Sequence, residues 1–571
     1  MHWIDWLIVL VINGAIIGYG FYLARGTETS SEWFLGKRAL PWWGIGLSMF
    51  ATNVDNADLV SVSGKTFKDG LHILTVYALG SGVGGILSGF FVAPAMYRAG
   101  CYTNAEYLEA RYGVVTRILS ALIQIQYRSS MLGLMIWSVY KLLIGMEIVE
   151  PVAAWVLILT LVICSGIYTS LGGLKSVVWT DAFQSLVMMA AGIAIFFVVW
   201  HAVGGWDGME TNLQTYGSEL KKPLSDLPHI GKYDGGDQHT SPYQLSLPGG
   251  SINLGPYVVV LAWIIVASGY WTVNHTQTMR LMGARSLWDM KMAAIAGVIF
   301  SLPIMIATSC LGIFGRAHPE FQDLTDSDEL YPLMAKLFLD TGFKGLVVAG
   351  VVAAAVSTFD SMGSALSAVF TRDIYARWIR SNGSDHHYVR VGRWATVAVL
   401  LLGFAYLPFI IMQKNMLDAF TTLIPVFVTP LLTIYVLGVL TPVHRSSGLP
   451  GLLCGSLYGL VALYEREAPK ITFLPDLHLL PGWLSDRWGA AVWSFLITSV
   501  AVISYSRLFG SAEEDKIAEV KHPGWLERSR EELPELREHP FSGQPSWWLN
   551  PNLYGFLMIL ITGYVVFGLF W

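Results

Sequence analysis

The sequence predicts an all-α polytopic membrane protein, and three observations support that fold class. Hydrophobic residues make up 54% of the 571 residues and charged residues 13%, and the mean hydropathy is +0.51, which is outside the usual balance of soluble domains. Apolar runs of about 20 residues, long enough to cross a bilayer, recur along the chain. The 22 tryptophans cluster near the ends of these runs, as residues at a membrane interface do.

The chain contains fourteen apolar segments that are candidates for transmembrane helices. They span residues 3–24, 42–62, 71–97, 114–145, 152–170, 179–203, 252–274, 288–314, 342–371, 388–411, 416–440, 449–463, 488–508 and 551–571. The segment 449–463 is short for a crossing, and 416–440 carries Pro425 and Pro430. The first segment has no basic residue before it and Arg25 after it, so we expect a permanent helix rather than a cleaved signal peptide.

Basic residues predict the orientation of these helices. If the N-terminus lies outside, the outer loops are longer than the inner loops yet poorer in Lys and Arg, and the outer loop 315–341 is acidic. Residues 204–251 then form a polar extracytoplasmic loop, and 509–546 form a charged cytoplasmic segment before the last helix. We therefore expect a multi-pass protein of the cell (inner or plasma) membrane with both termini outside.

A polar interruption, Ala51-Thr-Asn-Val-Asp-Asn-Ala-Asp58, divides the second apolar segment. An unpaired backbone polar group in lipid costs several kcal/mol, and a carboxylate there costs about 2.5–3.5 kcal/mol or more. Such a stretch is expected to line a cavity or bind an ion. If the helix unwinds after Ala51, the carbonyls of Ala51 and Val54 lose their helical partners and can coordinate a hard cation. The structural alternative is a polar face whose groups are satisfied by neighbouring helices.

A second polar group lies in a later predicted helix, where Ser357 and Thr358 place adjacent hydroxyls near one point. The carbonyl of Ala354 lies one turn earlier on the same side. With the carbonyls of Ala51 and Val54, these groups make a neutral cage of five oxygens, which suits a monovalent cation better than calcium. The alternative is that the two hydroxyls bond back to their own helix.

A third polar group follows the paired glycines Gly172 and Gly173, which end one predicted helix. Asp181 enters the next helix, and a carboxylate within the membrane is a candidate functional residue. It can instead cap the helix near its N-terminus, where a negative charge is favoured.

Three motifs in combination resemble the sodium:solute symporter family. They are Gly-Gly-Leu followed by Trp-Thr-Asp-x-x-Gln, the Ala-x-x-Ser-Thr helix that ends in Phe370-Thr-Arg-Asp-Ile-Tyr375, and Tyr270-Trp-x-x-Asn-x-x-x-x-x-Arg280. The resemblance extends from about residue 30 to 440. It implies a LeuT-like fold with inverted five-helix repeats and about 14 transmembrane helices. The domains would be an extra helix at 1–25, the ten-helix transport core at 42–440, two accessory helices within 449–508 and a C-terminal helix at 551–571.

By position, the resemblance implies two sites for cations. The first would hold the coupling sodium ion through Ala51, Val54, Ala354, Ser357 and Thr358. The second would involve Asp181, Ser357, Asp360 and Ser361. Asp360 departs from the family pattern, because members with a second sodium site carry a small hydroxyl residue there. Two neighbouring carboxylates can bind a second cation or share a proton, so the number of coupled ions stays open.

The resemblance also implies parts of a solute pocket. Tyr270 and Trp271 match the aromatic pair that covers the sugar in sugar-transporting relatives, although aromatic residues in membrane helices usually pack. Where galactose-type transporters carry polar residues, this chain has Tyr77, Gly80, Ala267 and Ser301, which disfavours galactose.

Charged residues are expected to complete this pocket. Arg128 lies in the middle of a predicted helix, and a buried guanidinium needs an anion. That anion is either a carboxylate of the solute or one of Asp55 and Asp58. Asp55, Asn56 and Asp58 are expected to border the solute, whereas Asn53 is expected to lock the broken helix.

The sequence therefore predicts a sodium-coupled secondary active symporter that imports a small polar organic solute, sugar-like or carboxylate-bearing, by alternating access. A proton-coupled or mixed symporter is the alternative within transport. A membrane sensor with a transporter-like fold is the alternative of another class, and short cytoplasmic segments without room for a kinase domain argue against it. No motif favours an enzyme. The expected partners are the solute and the lipid bilayer, without nucleic acid, and we expect a monomer or weak homo-oligomer.

Overall fold

The computed structural model is mostly helical in the part of the chain that it describes. It describes residues 1–25, 29–74, 76–216, 228–229, 244–247, 250–412, 416, 421–470, 475, 477–510, 537–540 and 546–571. Most of the predicted cytoplasmic segment 509–546 lies outside the described residues, as does most of the loop 204–251.

The α-helices follow the predicted segments in order. They are α1 (Trp3–Leu23), α2 (Ser30–Leu35), α3 (Trp42–Asn53), α4 (Asn56–Asp69), α5 (Ser81–Ile86), α6 (Ala93–Arg98), α7 (Asn104–Tyr112), α8 (Val114–Gly145), α9 (Pro151–Val203), α10 (Gly205–Tyr216), α11 (Gly255–Val273), α12 (His275–Met282), α13 (Leu287–Arg316), α14 (Leu330–Phe338), α15 (Phe343–Val369), α16 (Asp385–Ala405), α17 (Leu407–Ile411), α18 (Ile424–Leu440), α19 (Gly448–Glu467), α20 (Gly482–Ser485), α21 (Arg487–Phe509) and α22 (Pro551–Gly563).

Shorter elements connect or extend these helices. The π-helical stretches are Val76–Gly80, Leu87–Val92, Phe370–Ile379 and Tyr564–Leu569. The 3₁₀ turns are Gly36–Arg38, Leu71–Ile73, Pro319–Phe321, Ser327–Glu329, Arg445–Ser447, Ala468–Lys470 and Trp547–Leu549. A two-stranded antiparallel sheet, β1 (Gln244–Leu247) with β2 (Gly250–Asn253), precedes α11.

Ten helices within the described ranges are long and apolar enough to cross a membrane. Among them, α9 is 53 residues long and covers two of the predicted segments. At Gly173 its backbone leaves the helical region, with φ of 62° and ψ of −160°, a conformation that glycine alone adopts readily. A Cβ atom at this position would also lie 2.4 Å from the carbonyl oxygen of Trp33. A single glycine therefore joins the two halves of α9.

The predicted break in the second apolar segment is confirmed, although the helix continues two residues beyond Ala51, to Asn53. Val54 is extended, and α4 starts at Asn56. The Asp55 carboxylate accepts hydrogen bonds from the backbone N–H groups of Ala57 at 2.9 Å and Asp58 at 3.1 Å. In return, the Asp58 carboxylate accepts a hydrogen bond from the N–H of Asp55 at 3.1 Å. This reciprocal capping box satisfies the N-terminus of α4 and fixes the break.

The broken pair α3–α4 packs in the middle of the molecule against α9, α13 and α15. Small residues allow this close approach: an added Cβ on Gly46 of α3 would lie only 2.6 Å from the Cβ of Ala296 in α13. The interrupted segment is therefore enclosed by protein rather than by lipid.

Candidate ion and solute site

The first candidate site lies where the end of α3 meets α15. The hydroxyl of Ser357 donates to the carbonyl of Ala51 at 2.9 Å and to that of Ala354 at 3.0 Å. The hydroxyl of Thr358 donates to the carbonyl of Ala354 at 2.9 Å. Both hydroxyl residues are buried. The structure thus brings together four of the five residues expected to hold sodium: Ala51, Ala354, Ser357 and Thr358. The hydroxyl of Ser357 bonds both to the broken helix and to its own helix, α15.

The capping box explains why carbonyls are available here. In a continuous helix, Asp55 N–H would bond to the carbonyl of Ala51 and Asp58 N–H to that of Val54. Both N–H groups instead donate to carboxylates within the capping box. Neither carbonyl has its helical partner, and both belong to the neutral set of oxygen donors that a monovalent hard cation prefers.

The second candidate site contains a cation that the sequence analysis did not assign. Arg280 of α12 is fully buried, and its Nη2 lies 2.7 Å from Oδ2 of Asp181. Its Nε donates to the hydroxyl of Ser48 at 2.6 Å, and that hydroxyl donates to Oδ2 of Asp181 at 2.6 Å. Nη2 also donates to the hydroxyl of Ser361 at 2.5 Å. Asp181 is therefore part of a buried ion pair and does not act as a simple helix cap.

Asp360 lies at the edge of the same cluster. Its Oδ2 accepts a hydrogen bond from the hydroxyl of Tyr168, and its Oδ1 lies 3.5 Å from the hydroxyl of Ser361. Both Asp360 and Tyr168 are fully buried. Asp181, Asp360 and Ser361 are therefore close, as expected, but one guanidinium and one phenol share the site with them.

The third feature is a cavity beside the broken helix, with a volume of about 750 Å³ including its opening. It is lined by Asn53, Asp55, Ala57, Asp58, Ser61, Val62, Ile73, Ser81, Arg128, Met131, Leu134, Met135, Trp263, Val266, Ala267, Tyr270 and Trp271. Five of the seven residues expected to contact the solute line this cavity: Asp55, Asp58, Arg128, Tyr270 and Trp271. Helical spacing places Asp55 and Asp58 on one face of α4.

One described residue among those expected to contact the solute does not line the cavity. Asn56 projects from a different face of α4, and its amide donates to the carbonyl of Val351 at 2.9 Å. We correct its assignment to a contact between α4 and α15. The side chain of Tyr77 lies outside the described residues. Asn53 donates to the hydroxyl of Ser301 at 3.1 Å and so ties the end of α3 to α13.

Two hydrogen bonds connect the sites through Thr52. Its carbonyl accepts the phenol hydroxyl of Tyr270 at 2.7 Å, at the wall of the cavity. Its own hydroxyl lies 3.1 Å from that of Ser361 in the ion-pair cluster. The broken helix therefore contacts both candidate ion sites and the cavity.

Sequence comparison supports a transporter of a known family. The sequence model described as "SSF: Sodium:solute symporter family" matches residues 33–459. The chain is 26% identical to the sodium/glucose cotransporter of Vibrio parahaemolyticus over 422 residues, which are 70% of this chain and 74% of the relative. It is 24% identical to the sodium/sialic acid symporter of Aliivibrio fischeri over 478 residues, 82% of this chain and 89% of the relative.

Solved structures share the fold. A sodium-coupled sialic acid symporter in a substrate-bound, outward-open state superimposes with a TM-score of 0.73 at 19% identity, covering 90% of this chain and 99% of the other. The nucleobase-cation-symport-1 transporter Mhp1, in a closed conformation, gives 0.51 at 13% identity, covering 90% of this chain and 100% of the other. The helix order, the broken second segment and the family match agree: this chain belongs to the sodium:solute symporter family.

Proposed function

We propose that this protein is a sodium-coupled symporter that imports a small polar organic solute, sugar-like or carboxylate-bearing, by alternating access. One observation carries the proposal: the break between α3 and α4 presents the carbonyl of Ala51 to Ser357 and the carboxylates of Asp55 and Asp58 to the cavity. An ion bound on one side of the break and a solute on the other stabilise the same backbone arrangement. Such shared stabilisation of one state is what coupling requires. The names of the relatives support sodium as the ion.

The residues assigned to the first sodium site are Ala51, Val54, Ala354, Ser357 and Thr358. Their neutral oxygens supply coordination, while the buried surroundings exclude water. The C-terminal end of α3 adds a favourable negative potential near its last carbonyls.

Proton-coupled or mixed symport is the second candidate function, and the cluster around Asp360 favours it. Asp181 and Asp360 carry two carboxylates, whereas Arg280 supplies one positive charge. Buried charges need compensation, so the remaining charge calls for a second cation or a proton. The sodium-only mechanism and the mixed mechanism therefore differ at this cluster.

The proposed topology has fourteen crossings. Ten helices qualify by length and hydropathy alone. The second half of α9, the broken pair α3–α4, the helix α8 and the shorter α18 supply the others. In this topology 42–440 contains the two inverted five-helix repeats, and both termini lie outside.

A buried ion cluster supports a closed inner side in this orientation. Arg117, at the inner end of α8, pairs with Glu109 at 2.7 Å and Asp373 at 2.7 Å, and all three side chains are buried. The cavity lies toward the other, outer end of α8, around Arg128 and Met135. This arrangement fits a carrier whose solute pocket is shut from the cytoplasm.

Uptake into proteoliposomes tests the proposed function. We expect solute uptake from a panel of sugars, carboxylates and amino acids to require an inward sodium gradient. Uptake that proceeds equally without sodium, in potassium buffer, would contradict it.

A double variant tests the first ion site. Ser357→Ala with Thr358→Ala removes two neutral oxygen donors, so we expect the sodium concentration for half-maximal uptake to rise at least tenfold. The matched control is Ser367→Ala on the same helix, whose buried hydroxyl donates to the carbonyl of Ser364 at 2.8 Å. An unchanged sodium dependence in the double variant would show that the site is elsewhere.

A further inference from the structure

Arg128 is a buried cation in the wall of the cavity that Asp55 and Asp58 also line. Arg128 is only 4% exposed, and it lines the cavity. Its Nε makes no hydrogen bond. Its guanidinium lies 5.8 Å from the centre of the Tyr270 ring and acts electrostatically on the Asp55 carboxylate. A buried guanidinium requires an anion, and its planar fork of N–H groups matches a carboxylate. The cavity therefore has a position for an anionic group of the ligand.

Asp55 provides a second charged position in the same cavity. The Asp55 carboxylate accepts hydrogen bonds from the backbone N–H groups of Ala57 and Asp58. Both hydrogen bonds are to Oδ1. Neither of these two bonds uses Oδ2. A carboxylate oxygen that lines a cavity in this way can accept a hydrogen bond from a cationic group of a ligand.

The remaining walls are largely apolar. They come from Ala57, Val62, Ile73, Met131, Leu134, Met135, Val266 and Ala267, together with the aromatic rings. A sugar presents hydroxyl groups on every side, and such walls leave most of them unbonded. A neutral sugar would also offer Arg128 no anion beyond Asp55 and Asp58. A simple carboxylate pairs with Arg128 but adds a third negative charge to the cavity, beside Asp55 and Asp58.

We propose that the cavity selects a zwitterion: a compact solute with an apolar body, a carboxylate that binds Arg128, and an ammonium group that binds Asp55. The ammonium group also meets the aromatic faces of Tyr270 and Trp271, which attract cations. Amino acids and betaines belong to this chemical class. The inference rests on the proposed transport function for its biological meaning, whereas the binding chemistry stands on the cavity alone.

Binding to the purified full-length protein tests the proposal without transport. The thermal unfolding temperature is measured in detergent with sodium chloride and a panel of the twenty α-amino acids, glycine betaine, glucose and galactose. For each ligand that stabilises the protein, the matched deaminated acid and decarboxylated amine are compared, since ligands stabilise according to their affinity. We expect at least one zwitterion to bind at least tenfold more tightly than both of its single-charge analogues and more tightly than either sugar.

Two charge-removing variants assign the positions. Arg128→Gln is expected to weaken binding of the zwitterion and of the acid analogue at least thirtyfold, while the amine analogue changes little. Asp55→Asn keeps an N-capping side chain at α4 and is expected to weaken the zwitterion and the amine, while the acid binds equally or better. Ser367→Ala serves as the unaffected control.

The outcomes separate this inference from the proposed function. Tight sugar binding that survives Arg128→Gln, equal binding of a zwitterion and its acid analogue, or no binding by any zwitterion overturns the inference, even if uptake depends on sodium. A zwitterion that binds as expected but enters proteoliposomes without a sodium gradient leaves the inference intact and overturns symport.

Discussion

At the scale of single residues, Arg280 determines the charge and hydrogen bonding of the second candidate site. Its guanidinium joins Asp181, Ser48 and Ser361, three residues from three different helices, at distances of 2.5–2.7 Å. The guanidinium holds its donors in a rigid planar fork, so their directions are fixed relative to one another. The cluster is therefore sensitive to the shape of this side chain as well as to its charge.

Replacing Arg280 tests this sensitivity. Arg280→Gln leaves Asp181 buried and unpaired, so we expect a loss of about 3–5 kcal/mol in the free energy of unfolding and no transport. Arg280→Lys keeps the charge without the fork, and a smaller loss of stability with strongly reduced uptake is expected. Thermal unfolding in detergent and uptake assays measure the two effects. The control is Arg285→Lys, whose side chain is 45% exposed; wild-type behaviour of both Arg280 variants would refute the assignment.

Sequence reasoning located some of these residues and missed others for physical reasons. Ala51 and Ser357 were recognisable because a polar break and paired hydroxyls are costly inside a membrane unless they bind something. Arg280 and Tyr168 gave no comparable signal, since each acquires its role only from a partner far away in the sequence. Asn56 was misassigned because a polar residue beside a break can face a neighbouring helix instead of a cavity.

At the scale of elements, hydropathy predicted most helices, because lipid requires apolar and fully hydrogen-bonded segments. It also predicted the break in the second apolar segment, which the capping box of Asp55 and Asp58 fixes. What it missed is the connection within α9, where we expected two helices, at 152–170 and 179–203, with a loop between them. The structure joins them through Gly173, which packs under Trp33.

The turn at Gly173 leads to a stability prediction. Gly173→Ala places a Cβ atom 2.4 Å from the carbonyl oxygen of Trp33, at a positive φ. We expect a loss of at least about 1–3 kcal/mol in the free energy of unfolding from the backbone alone, measured by thermal unfolding in detergent. Gly18→Ala on α1 is the control, because an added Cβ there meets nothing within 4 Å. Equal stability of the two variants would show that the turn tolerates a side chain.

At the scale of the whole molecule, the proposed mechanism limits how far the solute can accumulate. One charge moving across 100 mV supplies about 2.3 kcal/mol, and a tenfold sodium gradient supplies about 1.4 kcal/mol per ion. At zero membrane potential and a tenfold sodium gradient, we expect a plateau of about tenfold solute accumulation for one coupled ion and about a hundredfold for two. Proteoliposomes with a clamped potential provide the measurement.

The same experiment separates sodium from protons at the cluster of Asp181 and Asp360. A plateau that rises when an inward proton gradient is added indicates a proton as the second charge. A plateau that stays at tenfold under both gradients limits coupling to one sodium ion and contradicts mixed symport.

The orientation of the chain makes a separate prediction. In the proposed topology, Ser381→Cys introduces a thiol in the inner loop before α16, and Glu320→Cys introduces one in the outer loop after α13. Both positions are exposed. In intact cells we expect a membrane-impermeant thiol reagent to label the second variant and not the first. The unsubstituted protein is the control for labelling of Cys454, which is exposed. If the reagent instead labels the Ser381→Cys variant and not the Glu320→Cys variant, the orientation is the reverse of the proposed one.

The turn at Gly173 also constrains how the carrier can move. Consecutive Cα atoms are about 3.8 Å apart, so helices joined through one residue cannot have ends more than roughly 7 Å apart in any state of the cycle. The two halves of α9 can tilt or rotate as a pair, but they cannot slide lengthwise past each other. Because Asp181 lies in the second half, a displacement of the helix before the turn is passed on to the helix that carries the ion pair with Arg280. Any opening motion must therefore keep the adjoining ends of the two halves together at Gly173.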